Sequence, residues 1–152
     1  MDKKILIILK SEIHSQLNEI DKIYSKLQER EKVNDRFLIE AIAYQLHNLY
    51  CAYEDLFKII ARTFENNITD EAKFNIELLK RMAISIEGVR PGLISEESFK
   101  LLDTLRSFRH FFRHAYSYEL DERKIKIVLE DAYKLKEIFK KDLEKFFSMF
   151  EM

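Results

Sequence analysis

One cationic segment holds the residues best suited to chemistry. It reads RSFRHFFRHAYSYEL from Arg106 to Leu120, so three arginines and two histidines are followed by two tyrosines. Arginine offers a planar fork that matches phosphate oxygens and stays charged, and histidine titrates near neutrality. RNA cleavage requires a base for the 2′-hydroxyl, an acid for the leaving 5′-oxygen and fixed positive charge. The segment therefore permits phosphate chemistry.

The same cations also permit a structural interpretation. Acidic residues of neighbouring helices, such as Glu40, Glu54 or Asp55, could neutralise them. Cations near a helix C-terminus are also favoured by the helix dipole, by roughly 0.3–1 kcal/mol each. A solvated basic face is a third possibility, so the segment alone leaves the choice open.

Helical geometry separates the segment into two sides. At about 100° per residue, the five cations share an arc of about 140°, and they are Arg106, Arg109, His110, Arg113 and His114. The remaining positions are expected to face a core: Leu105, Phe108, Phe111, Phe112 and Ala115. Arg109 and His114 themselves lie about 140° apart on an ideal helix. Either the helix loosens near Ala115, or motifs from two subunits converge on one phosphate.

Composition indicates a single domain spanning residues 1–152. The chain is 47% hydrophobic and 35% charged, with a net charge of −1, so no global field attracts nucleic acid or membrane. The apolar run Ile5 to Leu9 is shorter than a signal-peptide core, and no stretch reaches the ~20 apolar residues that cross a bilayer. We expect a cytoplasmic protein without membrane contact. The lone Cys51 excludes an internal disulfide and a multi-cysteine metal site.

Helix-breaking residues are concentrated in one place. The only proline and both glycines lie in Gly88-Val89-Arg90-Pro91-Gly92, which lacks the lysine and serine of a phosphate-binding loop and reads as a turn. Elsewhere, apolar residues recur at helical spacing in five segments. Their clearest series are Leu6 to Leu27, Leu38 to Phe64, Phe74 to Ile86, Leu105 to Ala115 and Val128 to Phe150. We predict an all-α, up-and-down antiparallel bundle of four main helices with a fifth packed alongside.

Local start signals refine these helices. Asn34 or Asp35 can cap the second helix, Ser95 the fourth and Asp121 the fifth. The second helix carries two adjacent apolar stripes, which predicts that it is the centre of the bundle.

The segment Arg109-His110-Phe111-Phe112-Arg113-His114-Ala115-Tyr116 fits the pattern R-x-x-x-x-H-x-Y. This pattern resembles the signature of HEPN domains, and of HepT-like toxins among them, in which a polar residue such as His110 commonly follows the arginine. The resemblance extends over roughly residues 41–121, through AYQLHNLYCAYEDLFKIIARTFENNI, LLKRMAISIEGVRPGLISEESF and LLDTLRSFRHFFRHAYSYELD. The motif also lies near the end of the fourth helix, where HEPN domains carry it.

The resemblance implies a metal-independent endoribonuclease that acts as the toxin of a toxin–antitoxin pair and needs no cofactor. Arg109 would hold and stabilise the scissile phosphate, and His114 would be the general acid or base. His110 would orient phosphate or substrate. Arg106 and Arg113 match no fixed family position and would extend the phosphate-contacting surface.

The resemblance also implies partners. Tyr116 would be the tyrosine to which a cognate MNT-type nucleotidyltransferase antitoxin adds AMP, and the added charge and bulk beside Arg109 would block the substrate phosphate. HEPN domains form homodimers whose two-fold axis brings two motifs into one cleft, so we expect a homodimer here.

Two other hypotheses compete with the toxin. The bundle could be a non-catalytic helical partner or substrate-binding module of a nucleotidyltransferase, or a structural protein whose basic stripe is neutralised from within. Other residues carry weaker signals: His14 and His47 each stand alone on a helix, Cys51 is expected to be a small buried hydrophobe, and Tyr118 is expected to pack against the fifth helix.

Overall fold

The computed structural model describes residues 2–33, 35, 37–65, 74–114 and 119–150, with the side chains of residues 74 and 75 left aside. These residues form five helices: α1 (Lys3–Glu31), α2 (Leu38–Phe64), α3 (Phe74–Met82), α4 (Glu96–Arg113) and α5 (Glu122–Ser148). In the described ranges the only β feature is a single bridge between Ile86 and Arg90. The all-α prediction is therefore confirmed.

Helix α1 covers one side of α2 with a single apolar stripe. The Asp2 carboxylate accepts a hydrogen bond from the Lys4 amide and starts the helix. Side chains at three- and four-residue steps are then buried, and these are Leu9, Ile13, Ile20, Tyr24 and Leu27. The predicted stripe is thus confirmed as the face that packs on the bundle.

Helix α2 is the centre of the bundle, as its two stripes predicted, because α1, α3, α4 and α5 all pack against it. Aromatic contacts fix its register against α5. The ring centroids of Tyr53 and Phe139 are 5.1 Å apart, and those of Phe64 and Phe146 are 5.9 Å apart. Helices α2 and α5 therefore run parallel, whereas α4 runs antiparallel to both, as an up-and-down bundle requires.

Helix α2 begins later than its predicted caps indicate. Its N-cap is Phe37, which has no side-chain capping bond. The Asp35 carboxylate instead accepts from the Phe37 amide at 2.9 Å, so it closes the turn that precedes the helix. Asn34, the other predicted cap, lies outside the described residues.

Helix α3 ends at Met82, so the prediction that it extends to Ile86 is wrong. The Met82 carbonyl accepts from the amides of both Leu93 and Ile94, which turns the chain back toward α3. The Ile86–Arg90 bridge then closes a tight turn in which Gly88 has a φ of 77°, a conformation that favours glycine. The prediction of a turn at GVRPG is confirmed.

Helices α4 and α5 begin at the predicted caps. Ser95 accepts from the Ser98 amide, and Asp121 accepts from the Arg123 amide. Asp142 of α5 also accepts from the Ser95 and Ser98 hydroxyls, which fixes the start of α4 against α5. Among the described residues, none of these helices is both long enough and apolar enough to cross a lipid bilayer.

Candidate functional site

Helix α4 presents the cationic segment along its last two turns. The helix ends at Arg113, and His114 is its C-cap, with φ −113° and ψ 10°. The His114 amide still donates to the Phe111 carbonyl at 3.1 Å. The regular helix therefore ends at Arg113, and its geometry changes at His114, one residue before Ala115, near which the sequence analysis placed a possible change.

Four basic side chains of this segment line one small cavity. Arg106, Arg109, His110 and Arg113 line a space of about 20 Å³, enough for one water-sized group or one phosphate oxygen. We call these four residues the arginine row. The His114 ring lies next to this row, with its centroid 4.9 Å from that of His110. The structure thus groups the predicted supporting residues with Arg109 and places His114 at their edge, on the His110 side.

Arg109 is held by two side chains of α2. One terminal nitrogen of its guanidinium lies 3.3 Å from the Glu54 carboxylate, and the two side chains are only 15% and 8% exposed. The guanidinium carbon lies 5.9 Å from the centroid of the Tyr50 ring. Lys58 also approaches Glu54, at 3.6 Å. Of the three acidic residues that the sequence offered as neutralising partners, Glu54 is therefore the one that pairs with Arg109.

The other two arginines differ in their pairing. Arg106 donates to Asp103, one turn earlier on α4, with N···O distances of 2.9 and 2.8 Å. Arg113 is exposed and makes no ion pair with any residue in the described part of the chain. The row is consequently neutralised at its N-terminal end and positive where the helix ends.

One face of α2 completes the surroundings of the row. His47, Tyr50, Cys51 and Glu54 occupy this face at helical spacing, and the His47 ring centroid lies 5.5 Å from that of Phe112 on α4. Burial, followed by the charges of Arg109 and Arg113, lowers the pKa of His47. Burial likewise raises the pKa of the Cys51 thiol. The site is therefore built from two antiparallel helices.

The sequence did not reveal that His47 and Tyr50 border the site. In the sequence, Tyr50 is part of an apolar stripe and His47 is an isolated histidine. The sequence of α2 does not show which of its faces packs against α4. The Tyr50 hydroxyl is fully buried and has no hydrogen-bond partner in the described residues, and burial together with Glu54 raises its pKa. That orphaned hydroxyl is visible only in the folded protein.

The expectation that Phe111 faces the core is wrong. Its side chain is 50% exposed and lies at the mouth of an apolar groove of about 490 Å³ between α4 and α5, together with Ile127. Phe108 and Leu105 are buried and Phe112 is partly buried, as expected. Helical angle alone could not show that the start of α5 leaves Phe111 uncovered.

Several predicted residues lie outside the described part of the chain. These are Ala115, Tyr118 and Tyr116, the last of which the resemblance implies is the AMP acceptor. Within the described residues, no group of three or more histidine, cysteine, aspartate or glutamate side chains is arranged to hold a metal ion.

Comparison with known proteins places the chain in a family. No curated protein and no solved structure matches it. A family model described as HepT-like protein matches residues 41–150, which include most of α2, all of α3 to α5, and the cationic motif. Because this match covers more than half of the sequence, the chain belongs to the HepT-like family of HEPN-domain proteins.

Proposed function

We propose that this protein is a metal-independent endoribonuclease and the toxin of a HEPN/MNT toxin–antitoxin pair. The observation that carries the proposal is the grouping of Arg106, Arg109, His110 and Arg113 around one cavity, with His114 beside it, in a member of the HepT-like family. Guanidinium groups bind phosphate through paired hydrogen bonds, and an adjacent imidazole moves protons near neutral pH.

The reaction is an internal transfer at one phosphodiester. The 2′-oxygen of the ribose attacks phosphorus as a base removes its proton, and the bond from phosphorus to the 5′-oxygen breaks as an acid protonates that oxygen. The products are a 2′,3′-cyclic phosphate and a 5′-hydroxyl. Arg109 stabilises the negative charge that develops on the phosphoryl oxygens, and His114 transfers a proton.

The pairing of Arg109 suggests how substrate binds. Glu54 pairs with one terminal nitrogen of the guanidinium while the site holds no RNA, and the guanidinium carbon lies over the Tyr50 ring. Arg113 is exposed at the end of the row and meets the RNA backbone first. The phosphate then shares Arg109 with Glu54, so the guanidinium need not be reorganised during the reaction.

Two further parts of the proposal concern partners. The protein acts as a homodimer in which two copies of the site face one RNA groove. A cognate MNT-type nucleotidyltransferase silences it by adding AMP to Tyr116, and the added phosphate competes with RNA for the arginine row.

Incubation of the purified protein with total RNA tests the activity. We expect wild type to generate 2′,3′-cyclic phosphate ends in the presence of a chelator, and Arg109→Ala and His114→Ala each to lower the rate by about 10²–10⁴-fold. Arg30→Ala is the matched control, because Arg30 lies on α1 and, in the part of the chain that the structure describes, pairs only with the exposed Glu29. Full activity in folded Arg109→Ala and His114→Ala variants would contradict the assignment.

A second function is favoured by one observation. Two of the three arginines in the row already have carboxylate partners, as a non-catalytic helical partner of a nucleotidyltransferase would permit. Such a protein binds its nucleotidyltransferase and leaves RNA intact. Co-expression with the antitoxin and assay of both binding and RNA cleavage separate the two functions.

A further inference from the structure

His47 of α2 lies beside the arginine row but is not part of the R-x-x-x-x-H-x-Y motif. Its ring packs on Phe112, which is on the same helix as the arginines. The ring is half-buried, and its Nδ1 atom is buried without a hydrogen-bond partner in the described part of the chain. Its Nε2 atom lies 3.9 Å from the Cys51 sulfur, a weak partner. The imidazole is therefore close to the arginines and has no strong partner that would commit it to a structural role.

The positions around α4 place two imidazoles on opposite sides of the arginines. At about 100° per residue, Phe112 lies about 60° to one side of Arg109, and His110 lies about 100° to the other side. His47 packs on Phe112, whereas His114 packs on His110. Arg109 and Arg113 lie between these two edges.

Cleavage of RNA requires this kind of arrangement. The attacking 2′-oxygen and the leaving 5′-oxygen lie in line, on opposite sides of phosphorus. A base and an acid that serve one phosphate must therefore approach it from opposite sides. A phosphate held by Arg109 would have one imidazole toward each of its two reacting oxygens.

We propose that His47 is a second catalytic residue, the general base that removes the 2′-hydroxyl proton, while His114 is the general acid that protonates the leaving 5′-oxygen. This assignment rests on the proposed ribonuclease function. The proton taken from the 2′-oxygen resides on His47, the proton given to the 5′-oxygen comes from His114, and water restores both after the product leaves. One chain then supplies both an acid and a base.

The charges around His47 agree with the role of a base. The charged groups that face it from α4 are Arg109 and Arg113, and the titratable group nearest on α2 is Cys51. Burial, followed by the charges of the two arginines, lowers the pKa of His47, which favours the neutral imidazole that can accept a proton.

A substrate with an activated leaving group separates the base from the acid. The first substrate is an RNA oligonucleotide that wild type cleaves, and the second carries sulfur in place of the bridging 5′-oxygen at the cleaved link. A thiolate leaves without being protonated, so loss of the acid matters little on the second substrate. Loss of the base affects both substrates equally.

The variants are His47→Gln, His114→Gln and the control His14→Gln, in which the altered histidine is exposed on α1. We expect His47→Gln to lower kcat by about 10²-fold or more on both substrates with KM nearly unchanged. We expect His114→Gln to lower kcat on the oxygen substrate and to recover on the sulfur substrate. His14→Gln should match wild type throughout. His47→Phe, which preserves an aromatic contact with Phe112, is a second variant in case the first is unstable.

Three results would overturn the assignment. If a folded His47 variant keeps kcat within about threefold of wild type while Arg109→Ala is inactive, His47 is not catalytic and the ribonuclease function stands. If the sulfur substrate restores the His47 variants, His47 acts on the leaving group and is not the base. If wild type cleaves neither substrate, the ribonuclease function itself fails, and the role of His47 fails with it.

Discussion

Tyr53 and Tyr50 lie one turn apart on α2, and both are buried, but their hydroxyls meet different surroundings. The Tyr24 hydroxyl donates to the Ala132 carbonyl at 2.7 Å, so its one proton is used. Tyr53 must therefore donate to Tyr24, also at 2.7 Å. This hydroxyl chain joins α1, α2 and α5, and each of its protons has an acceptor.

The Tyr50 hydroxyl has no such partner in the described residues, although the Arg109 guanidinium lies over the Tyr50 ring. The neighbouring His47 also has a buried nitrogen without a partner. Unpartnered buried polar groups destabilise a fold. Among the described residues, the hydroxyls of Tyr24 and Tyr53 are thus satisfied where α1, α2 and α5 meet, whereas the Tyr50 hydroxyl and the His47 Nδ1 atom are not, on the face of α2 where we propose that RNA binds. The following changes test that difference, from the largest expected effect to the smallest.

Removal of the Glu54 charge should have the largest effect on stability. Glu54→Gln leaves the poorly exposed Arg109 without its carboxylate, which should lower the free energy of unfolding by about 2–3 kcal/mol, somewhat less than for a fully buried pair. The matched control is Glu19→Gln, because Glu19 and Lys22 pair while 58% and 67% exposed. Urea denaturation should show at most about 0.5 kcal/mol for this exposed pair. Equal losses in the two variants would show that the Arg109 site is not distinct from the surface.

Tyr24→Phe tests the region where α1, α2 and α5 meet and where the tyrosine hydroxyls have hydrogen-bond partners. The change removes the donor to the Ala132 carbonyl and the acceptor for Tyr53, and both groups stay buried. We expect the free energy of unfolding to fall by about 1–3 kcal/mol. RNA cleavage measured below the melting temperature should remain within about twofold of wild type, since Tyr24 makes its contacts with Tyr53 and with Ala132 and Tyr133 of α5. A loss of cleavage comparable to that of Arg109→Ala would show that the two regions are coupled.

These contrasts also show which parts of the molecule the sequence could predict. The caps at Ser95 and Asp121 depend on neighbouring residues alone, and the apolar stripe of α1 depends on periodicity, so all three were predicted correctly. The end of α3 was predicted wrongly, because the Met82 carbonyl accepts from the amides of residues that follow the turn. The helical spacing of apolar residues up to Ile86 does not show that these bonds replace those of the helix.

The candidate site likewise has parts that the sequence could predict and parts that it could not. The grouping of Arg106, Arg109, His110 and Arg113 follows from their spacing on one helix, and the sequence predicted it. The contacts of Glu54, Tyr50 and His47 depend on the register between α2 and α4, which is a property of the packed bundle. The sequence offered Glu54 only as one of three candidate partners.

Matched hydroxyl deletions on α2 provide the most direct comparison. Tyr53→Phe removes the donor to Tyr24 and should cost about 1 kcal/mol. Tyr50→Phe removes a hydroxyl that has no partner among the described residues, so it should be neutral or stabilise by up to about 1 kcal/mol. The two variants make the same chemical change one turn apart, and thermal denaturation measures both. A clear loss of stability in Tyr50→Phe would show that its hydroxyl has a partner, and the contrast between the two regions would disappear.

The smallest expected effect is on the pH dependence of stability. Because the folded protein lowers the pKa of His47, the unfolded chain takes up this proton more readily as pH falls through its ordinary value near 6.5. The stability that neutral His47 contributes is therefore complete above pH 7 and decreases toward pH 5. His47→Gln lacks this titration, so the melting temperature of wild type relative to the variant should fall by about 1 °C between pH 7.5 and pH 5.5, a small shift because the ring is half-exposed. Carboxylates titrate equally in both proteins and cancel, and His14→Gln should retain the wild-type profile. A relative melting temperature that rises as pH falls would mean that an anionic neighbour of His47 outweighs its burial and the charges of Arg109 and Arg113.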